Sequence, residues 1–364
     1  MRTSVAWTRR RNRVNARPPR VRLIEPLGLL HGREADDAMA AGLALKLAGG
    51  PSAFTLARLI VPGMAPVLVP VGAIPGDWRA HMRRITAAPR AWAGLPVGKP
   101  LVMGILNITP DSFSDGGAHF NSVAAISTGH AMAAAGAAIL DIGGESTRPR
   151  APPVPAAEEQ RRILPVIRAL AAAGHCISVD TRNASTMAAA LDAGARIVND
   201  VSALTHDPAA APLLARRGCP VVLVHMRGTP ADMQDHAHYG DPALEILSEL
   251  AARVATARAA GIAPINIAID PGIGFAKQAQ QNQDALHRLA LLANLGHRIV
   301  LGVSRKSFIG QIGLAPDARA RLPGSLAAGL FGVTLGAHIL RTHDVTETMQ
   351  ALRLWYVLQS EMEL

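Results

Sequence analysis

Short runs of Val, Ile and Leu recur along the chain from residue 101 onward, at 101–108, 138–142, 176–181, 197–202, 220–226, 265–270, 299–304 and 338–342. They lack the polar alternation of a half-exposed strand, so each reads as a strand buried on both faces, as in a parallel sheet covered by helices. Between them lie Ala-rich segments with helical spacing: Ser122–Ala135, Glu158–Ala173, Ala184–Ala193, Pro242–Ala260, Gln283–Asn294 and Gly324–Leu335. Gly136, Gly174, Gly194, Gly261, Gly296 and Gly336 stand just past the ends of such segments, where a left-handed residue stops a helix. Eight strands alternating with helices over about 260 residues predict an α/β fold, a (β/α)8 TIM barrel spanning 101–364 with an N-terminal accessory region. A doubly wound sheet is the alternative, disfavoured by eight regular units and no GxGxxG after the first strand.

Residues 23–100 follow another pattern. A helix-like run, Ala35–Ala48, precedes short apolar pieces broken by Pro62, Pro66, Pro70 and Pro75, and Trp78–Trp92 carries four Arg and reads as a surface helix or linker. The segment holds no motif and is expected to pack on the barrel, its role unassigned. Residues 1–22 are expected to form a disordered basic tail. Their eight arginines, with no acid, account for eight of the ten net positive charges. The rest of the chain is close to neutral, so no nucleic-acid partner is expected.

With 49% hydrophobic residues, the chain can bury a sizeable core. Cys176 and Cys219, the only cysteines, abut predicted strands and form no CxxC, which suits buried thiols in a reducing compartment. The start lacks the apolar core of a signal peptide. Residues 322–340 are uncharged, but Pro323, four glycines and His338 interrupt them, so they read as a helix and a strand rather than a membrane span. A cytoplasmic location without a membrane partner is the expectation.

In a barrel, the residues that end the strands meet at one mouth. Here they are Asn107; Asp141 with Glu145 to Pro149; Asp180 and Arg182; Asn199 and Asp200; His225 and Met226; Asp270 to Phe275; Ser304 to Ser307; and Arg341, His343 and Asp344. Helix capping explains an Asp or Asn in such a place. It does not explain Arg148, Lys306, Arg341 or His343, and the set is predicted to be an active-site mouth. Asp180, Asn199, Asp270 and Lys306 supply two carboxylates, an amide and an ammonium, the complement of a flat heterocycle with an amidine-like N–C–N edge and a ring carbonyl. Asn107, Arg148, Arg305, Arg341 and His343 suit a polyanion such as a diphosphate, and a nearby Mg²⁺ could share that load. His225 reads as a hydrogen-bonded core histidine, and Asp317, Arg319 and Arg321 as a solvated loop. Gly302–Ser307 looks like the end of a phosphate loop but lacks the Gly before Lys306, so no nucleoside triphosphate site is expected.

The motifs themselves, NITPDSFSDGG (107–117), DIGGESTRP (141–149), SVDT (178–181), NDVS (199–202), HMRGTP (225–230), DPGIGF (270–275), VSRKS (303–307) and RTHD (341–344), resemble in kind and order those of the dihydropteroate synthases. These are folate-pathway TIM-barrel enzymes that join a pterin diphosphate to p-aminobenzoate with loss of diphosphate, and sulfonamides compete at the p-aminobenzoate site. The resemblance implies that Asp180, Asn199, Asp270 and Lys306 bind the pterin, with Met226 and Phe275 lining its pocket. It implies diphosphate contacts from Asn107, Thr147, Arg148, Arg341 and His343, with Mg²⁺ at Asn107. Phe113, Pro149, Lys306 and Ser307 would frame p-aminobenzoate. Asp115 would steady a pterinyl-methylene cation, giving a catalytic set of Asp115, Arg148, Lys306, Arg341 and His343. Loops 110–120 and 145–156 are expected to close over the site. A homodimer through barrel helices is expected from the family alone. The chain departs from the pattern at Arg150 and Ala276, where Gly is usual. A pterin-dependent methyltransferase and a catalytically silent pterin-binding paralogue are the rival readings.

Overall fold

The structure is a computed structural model that describes residues 21–96, 98–108, 118–146 and 151–359; of 118–121 only the helical backbone is described. The chain enters as strand β1 (Leu23–His31), helix α1 (Gly32–Ala40), and strands β2 (Leu45–Lys46), β3 (Ser52–Ile60) and β4 (Val67–Pro70). β3 is central in this antiparallel sheet: β1 pairs along one side, while β2 and β4 share the other. Helix α2 (Arg79–Thr86) follows. The sequence pattern expected one helix over Ala35–Ala48 and no sheet. Instead α1 is followed by Gly42 at φ 72°, and the chain turns into β2.

From residue 101 strand and helix alternate: β5 (Leu101–Asn107), α3 (Ala118–Ala135), β6 (Ile139–Gly143), α4 (Ala156–Ala172), β7 (Ile177–Asp180) and α5 (Ala184–Asp192). Next come β8 (Ile197–Asp200), α6 (Ala210–Arg217), β9 (Val221–Val224), α7 (Pro242–Ala259), β10 (Ile267–Asp270) and α8 (Ala279–His287). The chain finishes with β11 (Arg298–Gly302), α9 (Ser307–Ile312), α10 (Leu322–Thr334), β12 (Ile339–Thr342) and α11 (Val345–Gln359). β5 to β12 pair in parallel in sequence order, and β12 closes on β5, with Ile339 beside Leu101. This is a (β/α)8 barrel. All six glycines expected to stop helices have positive φ, from 69° at Gly296 to 113° at Gly136. The Gln283–Asn294 segment departs from expectation: it is α8 followed by a 3-10 turn over Leu289–Leu295.

Two things close the lower end of the barrel, where the strands begin. Trp92 and Leu95 pack with Leu101, Met103, Ile139, Val222 and Val300 in the barrel interior. The Trp92 indole donates to the Asn266 carbonyl (3.1 Å), Arg298 donates to the Arg90 carbonyl (3.0 Å), and Arg196 reaches the Ala93 carbonyl. The N-terminal sheet is tied to the barrel flank by polar groups. Buried Glu25 accepts from Arg288 (2.5 Å) and Arg58 (2.7 Å), and the Asn294 amide exchanges two hydrogen bonds with the Ile24 backbone (2.7 and 2.9 Å).

His338 joins the two parts. The Ile299 backbone N–H donates to its Nδ1 (3.0 Å), so Nε2 carries the proton and donates to the Ala48 carbonyl (3.0 Å). Burial holds this imidazole neutral, lowering its pKa from 6.5 to about 4. A folded-state pKa below the unfolded one means that the unfolded chain takes up the proton first, so stability is lost as pH falls from 6.5 toward about 4. The full loss is on the order of 3 kcal/mol. His338→Gln, which keeps a donor and an acceptor, should lower Tm at pH 7 yet lose less on acidification. Parallel Tm-against-pH curves for the two proteins would refute the assignment.

Candidate active site

Parallel pairing carries the ends of all eight strands to one rim, and alternation along each strand selects which side chain points inward. Asp141 on β6 is fully buried, and its Oδ2 accepts from Arg341 Nε (2.6 Å) and from the Asn199 amide (3.0 Å). Arg341 on β12 also reaches Asp180 on β7, NH2 to Oδ2, at 2.6 Å. One guanidinium thus spans β5 to join three strands. Gly143 leaves this corner open, since a Cβ there would stand 3.4 Å from the Asp180 Cβ and 3.6 Å from Asn107 Oδ1.

Across the mouth, Asp270 is buried at the end of β10, and its Oδ1 accepts the Gly272 N–H at 2.7 Å. Its Oδ2 would lie 3.8 Å from a Cβ at Gly302, which Arg341 flanks from the other side. Lys306 donates to the Ile273 carbonyl and stands 4.4 Å from the Phe275 ring centre. Met226 and Phe275 pack on the top of the apolar barrel interior, a floor for a flat ring. The structure therefore brings together Asn107, Asp180, Asn199, Met226, Asp270, Phe275, Lys306 and Arg341. Ser307, exposed, opens α9 beside Lys306.

Burial dominates the electrostatics. It raises Asp180 to about 7 despite the opposing pull of Arg341, and it raises Asp270 against the pull of Lys306. It lowers Lys306 to about 8, with Asp270 the chief opposing influence. Asp180 and Lys306 are thus poised near neutrality and Asp270 is shifted in the same sense as Asp180, as suits carboxylates that wait for N–H partners from a ligand.

Other strand-end residues sort differently from the sequence reading. Asp200, next to Asn199, points away from the mouth and holds its own loop, accepting from the Ser202 and Leu204 N–H groups (2.8 and 2.9 Å). Arg305, read as a cation for an anionic ligand, is paired with Asp344, Nε to Oδ2 at 3.0 Å. Arg321, read as solvated, donates to the carbonyls of Ala315 and Arg305 (2.9 and 3.0 Å) and braces the loop before α10. His343 is set by Ser304, whose Oγ lies 3.0 Å from its Nδ1 and accepts its backbone N–H at 3.1 Å. Phe113, Asp115, Thr147, Arg148 and Pro149 lie outside the described residues, as does Arg150.

The sequence reading placed Asp141 at a strand end without giving it a role, and it gave Lys277 none. Lys277 is buried behind the Asp270–Phe275 loop, with its Nζ 2.9 Å from each of the Gly272 carbonyl, the Phe275 carbonyl and His225 Nδ1. His225 accepts there and gives its Nε2 proton to Glu249 (3.0 Å), so it is the hydrogen-bonded core histidine that was expected; burial lowers it to about 4. Ala276 takes φ 49°, which explains why a Gly is usual at this place. A Lys before the next helix carries no motif of its own, but one following a positive-φ position after DPGIGF was a signal.

Carboxylates, an amide, an ammonium and a guanidinium gathered at the strand ends of a (β/α)8 barrel define a barrel enzyme with a polar ligand mouth. The model of the pterin binding enzyme family matches residues 103–343. The dihydropteroate synthase of Escherichia coli K12 is 42% identical over 261 residues, covering 71% of this chain and 92% of that one. That of Neisseria meningitidis serogroup C is 45% identical over 280 residues, covering 76% and 98%. Among solved structures, Xanthomonas albilineans dihydropteroate synthase with 4-aminobenzoic acid superposes with TM-score 0.68 at 45% identity, covering 71% of this chain and 93% of that one. The same enzyme in complex with 7,8-dihydropteroate gives 0.65 at 42%, covering 71% and 94%. The chain belongs to the dihydropteroate synthase family.

Lys277→Met should strand two carbonyls and the His225 acceptor, lowering stability by about 2–4 kcal/mol and loosening the loop that carries Phe275. Titration of a pterin ligand should show weakened binding even where the variant remains folded. Unchanged Tm and unchanged pterin affinity would contradict the role given to the lysine.

Proposed function

We propose that this chain condenses 6-hydroxymethyl-7,8-dihydropterin diphosphate with p-aminobenzoate, giving 7,8-dihydropteroate and diphosphate. The observation that carries the reading is the gathering of Asp180, Asn199, Asp270 and Lys306 around one mouth beside Arg341. Support comes from relatives at 42–45% identity, one of which was solved with 4-aminobenzoic acid and with 7,8-dihydropteroate. Asp180 and Asp270 would accept the N–H groups of the pterin, Asn199 and Lys306 would complete the ring's polar edge, and Met226 and Phe275 would meet its faces. Asn107, Arg341 and His343, with Thr147 and Arg148, would hold the diphosphate. Phe113, Pro149, Lys306 and the Ser307 hydroxyl would frame p-aminobenzoate.

An aryl amine is a weak nucleophile, so the C–O bond to diphosphate breaks first, its electron pair leaving with oxygen. The amine lone pair then forms the C–N bond, and the ammonium proton is released. Arg341 and His343 stabilise charge gathering on the departing oxygens, and Asp115 is the proposed counter-charge for the methylene cation. Each preorganised donor contributes roughly 3–4 kcal/mol to the transition state. Covalent catalysis by cysteine has no place here, because Cys176 and Cys219 lie one and two residues before β7 and β9, at the end opposite the mouth.

Mg²⁺ fits the donor set only in one way. No group of three or more His, Cys, Asp or Glu among the described residues could hold a metal ion, but the Asn107 amide oxygen faces the mouth, and Mg²⁺ commonly takes one protein oxygen plus water and substrate phosphates. Bound there, it would neutralise charge on the diphosphate. No helix among the described residues is long and apolar enough to cross a membrane, and both thiols are free, which supports a cytoplasmic enzyme. Phe331 on α10 and Leu354 and Leu358 on α11 are exposed and support pairing of two copies through barrel helices.

Diphosphate release by the purified protein should require p-aminobenzoate, which neither rival reading predicts. Asp180→Asn should abolish pterin binding and turnover, whereas Ser307→Ala should chiefly raise the KM for p-aminobenzoate. Near-normal turnover of Asp180→Asn, or release that ignores p-aminobenzoate, would overturn the assignment.

A further inference from the structure

The Arg341 guanidinium lies between the two subsites just described, and it does not face the anion subsite alone. Its Nε is anchored on fully buried Asp141, while its NH2 occupies Oδ2 of Asp180 at 2.6 Å. A pterin contains a cyclic guanidine, N–C(NH2)–N, and offers a carboxylate the same kind of N–H donor as an arginine. We propose that Arg341 is a stand-in for the substrate ring in the free enzyme, holding the Asp180 seat until an anionic arm draws it away, so that ring recognition is coupled to recognition of the diphosphate.

The surrounding groups suit such an exchange. Asp141 is shielded from water and shares its paired oxygen with Asn199, and its other oxygen has no hydrogen-bond partner among the described residues. It therefore depends on the arginine in either state and can act as the pivot at Nε while the NH2 end swings. Among the described residues Asp180 has one hydrogen bond, from the guanidinium, and its side chain is 11% exposed where that of Asp141 is 0%. When the arm binds, the guanidinium turns toward phosphate oxygens and the ring's N–H groups take its place, so neither carboxylate is left alone. After condensation the product has lost its diphosphate, and the returning guanidinium competes with the product ring for Asp180. One residue would thereby reject pterins that lack the anionic arm and assist product release. By linkage, the ring must raise diphosphate affinity by the same factor.

This inference rests on the pterin reading of the mouth, and calorimetry on the full chain at fixed Mg²⁺ separates the two. Binding of 6-hydroxymethyl-7,8-dihydropterin should tighten at least about five-fold when inorganic pyrophosphate is present at saturation. Arg341→Gln, which keeps an N–H donor for the pocket, should bind the same ring more tightly than the wild type does when both lack pyrophosphate. Its ring affinity should also no longer respond to pyrophosphate. Mere loss of a phosphate contact would not tighten ring binding. Equal wild-type affinity with and without pyrophosphate would overturn the coupling and leave the pterin reading standing, as would a pyrophosphate effect that survives in the variant. A folded wild-type protein that binds no pterin under either condition would overturn both.

Discussion

A single arginine between one buried and one part-buried carboxylate sets the shape of the mouth. Asp141 and Asp180 come from neighbouring strands and point into the mouth, where burial penalises the charged Asp180 carboxylate and the Arg341 guanidinium opposes that penalty. Arg341 reaches them across β5 because the barrel closes β12 onto β5 and sets β6 next to it. Removing one partner from such a pair typically costs 3–5 kcal/mol, since the other charge stays buried. The closed barrel is what keeps the three side chains within reach of one another, and Asn199 is oriented through the same Asp141 oxygen.

The opposite end of the barrel is built for another purpose. Trp92 and Leu95 fill the bottom of the barrel, and the linker there is held by side chains at the strand starts, among them Arg196 and Arg298. Glu25, Asn294 and His338 fasten the N-terminal sheet to the flank. These contacts stabilise the scaffold without touching the mouth, the usual division between the two faces of a (β/α)8 barrel. The match to the family model starts at residue 103, after this whole appendage. None of the mouth residues named above comes from the sheet or the plug.

Much of this was legible in the chain because the physics was local. A strand buried on both faces must be a continuous apolar run, and a helix that stops on a left-handed residue favours Gly, so both signals appear in a few residues. The N-terminal sheet was not legible, because β1 and β3 are amphipathic strands in a proline-punctuated stretch and β2 is two residues long. α6 and α11 were also missed. Within the site, Asp180, Asn199, Asp270, Lys306 and Arg341 could be located at strand ends, but their pairing could not. Arg305, at a positive φ of 58°, pairs with Asp344 rather than facing the mouth, and composition does not announce such a backbone angle. Asp141 was located at its strand end but given no role, although it shares a strand face with Ile139 and Gly143, an alternation that already aimed it at the interior.

The account depends on the pterin ring occupying the seat between Asp180 and Asp270, and a crystal structure of the protein with 6-hydroxymethyl-7,8-dihydropterin diphosphate would look at that directly. It should show ring N–H groups on both carboxylates, the Arg341 guanidinium on the phosphate oxygens, and its Nε still on Asp141. A ring bound elsewhere, or one bound in the mouth with the Arg341–Asp180 pair intact, would contradict it.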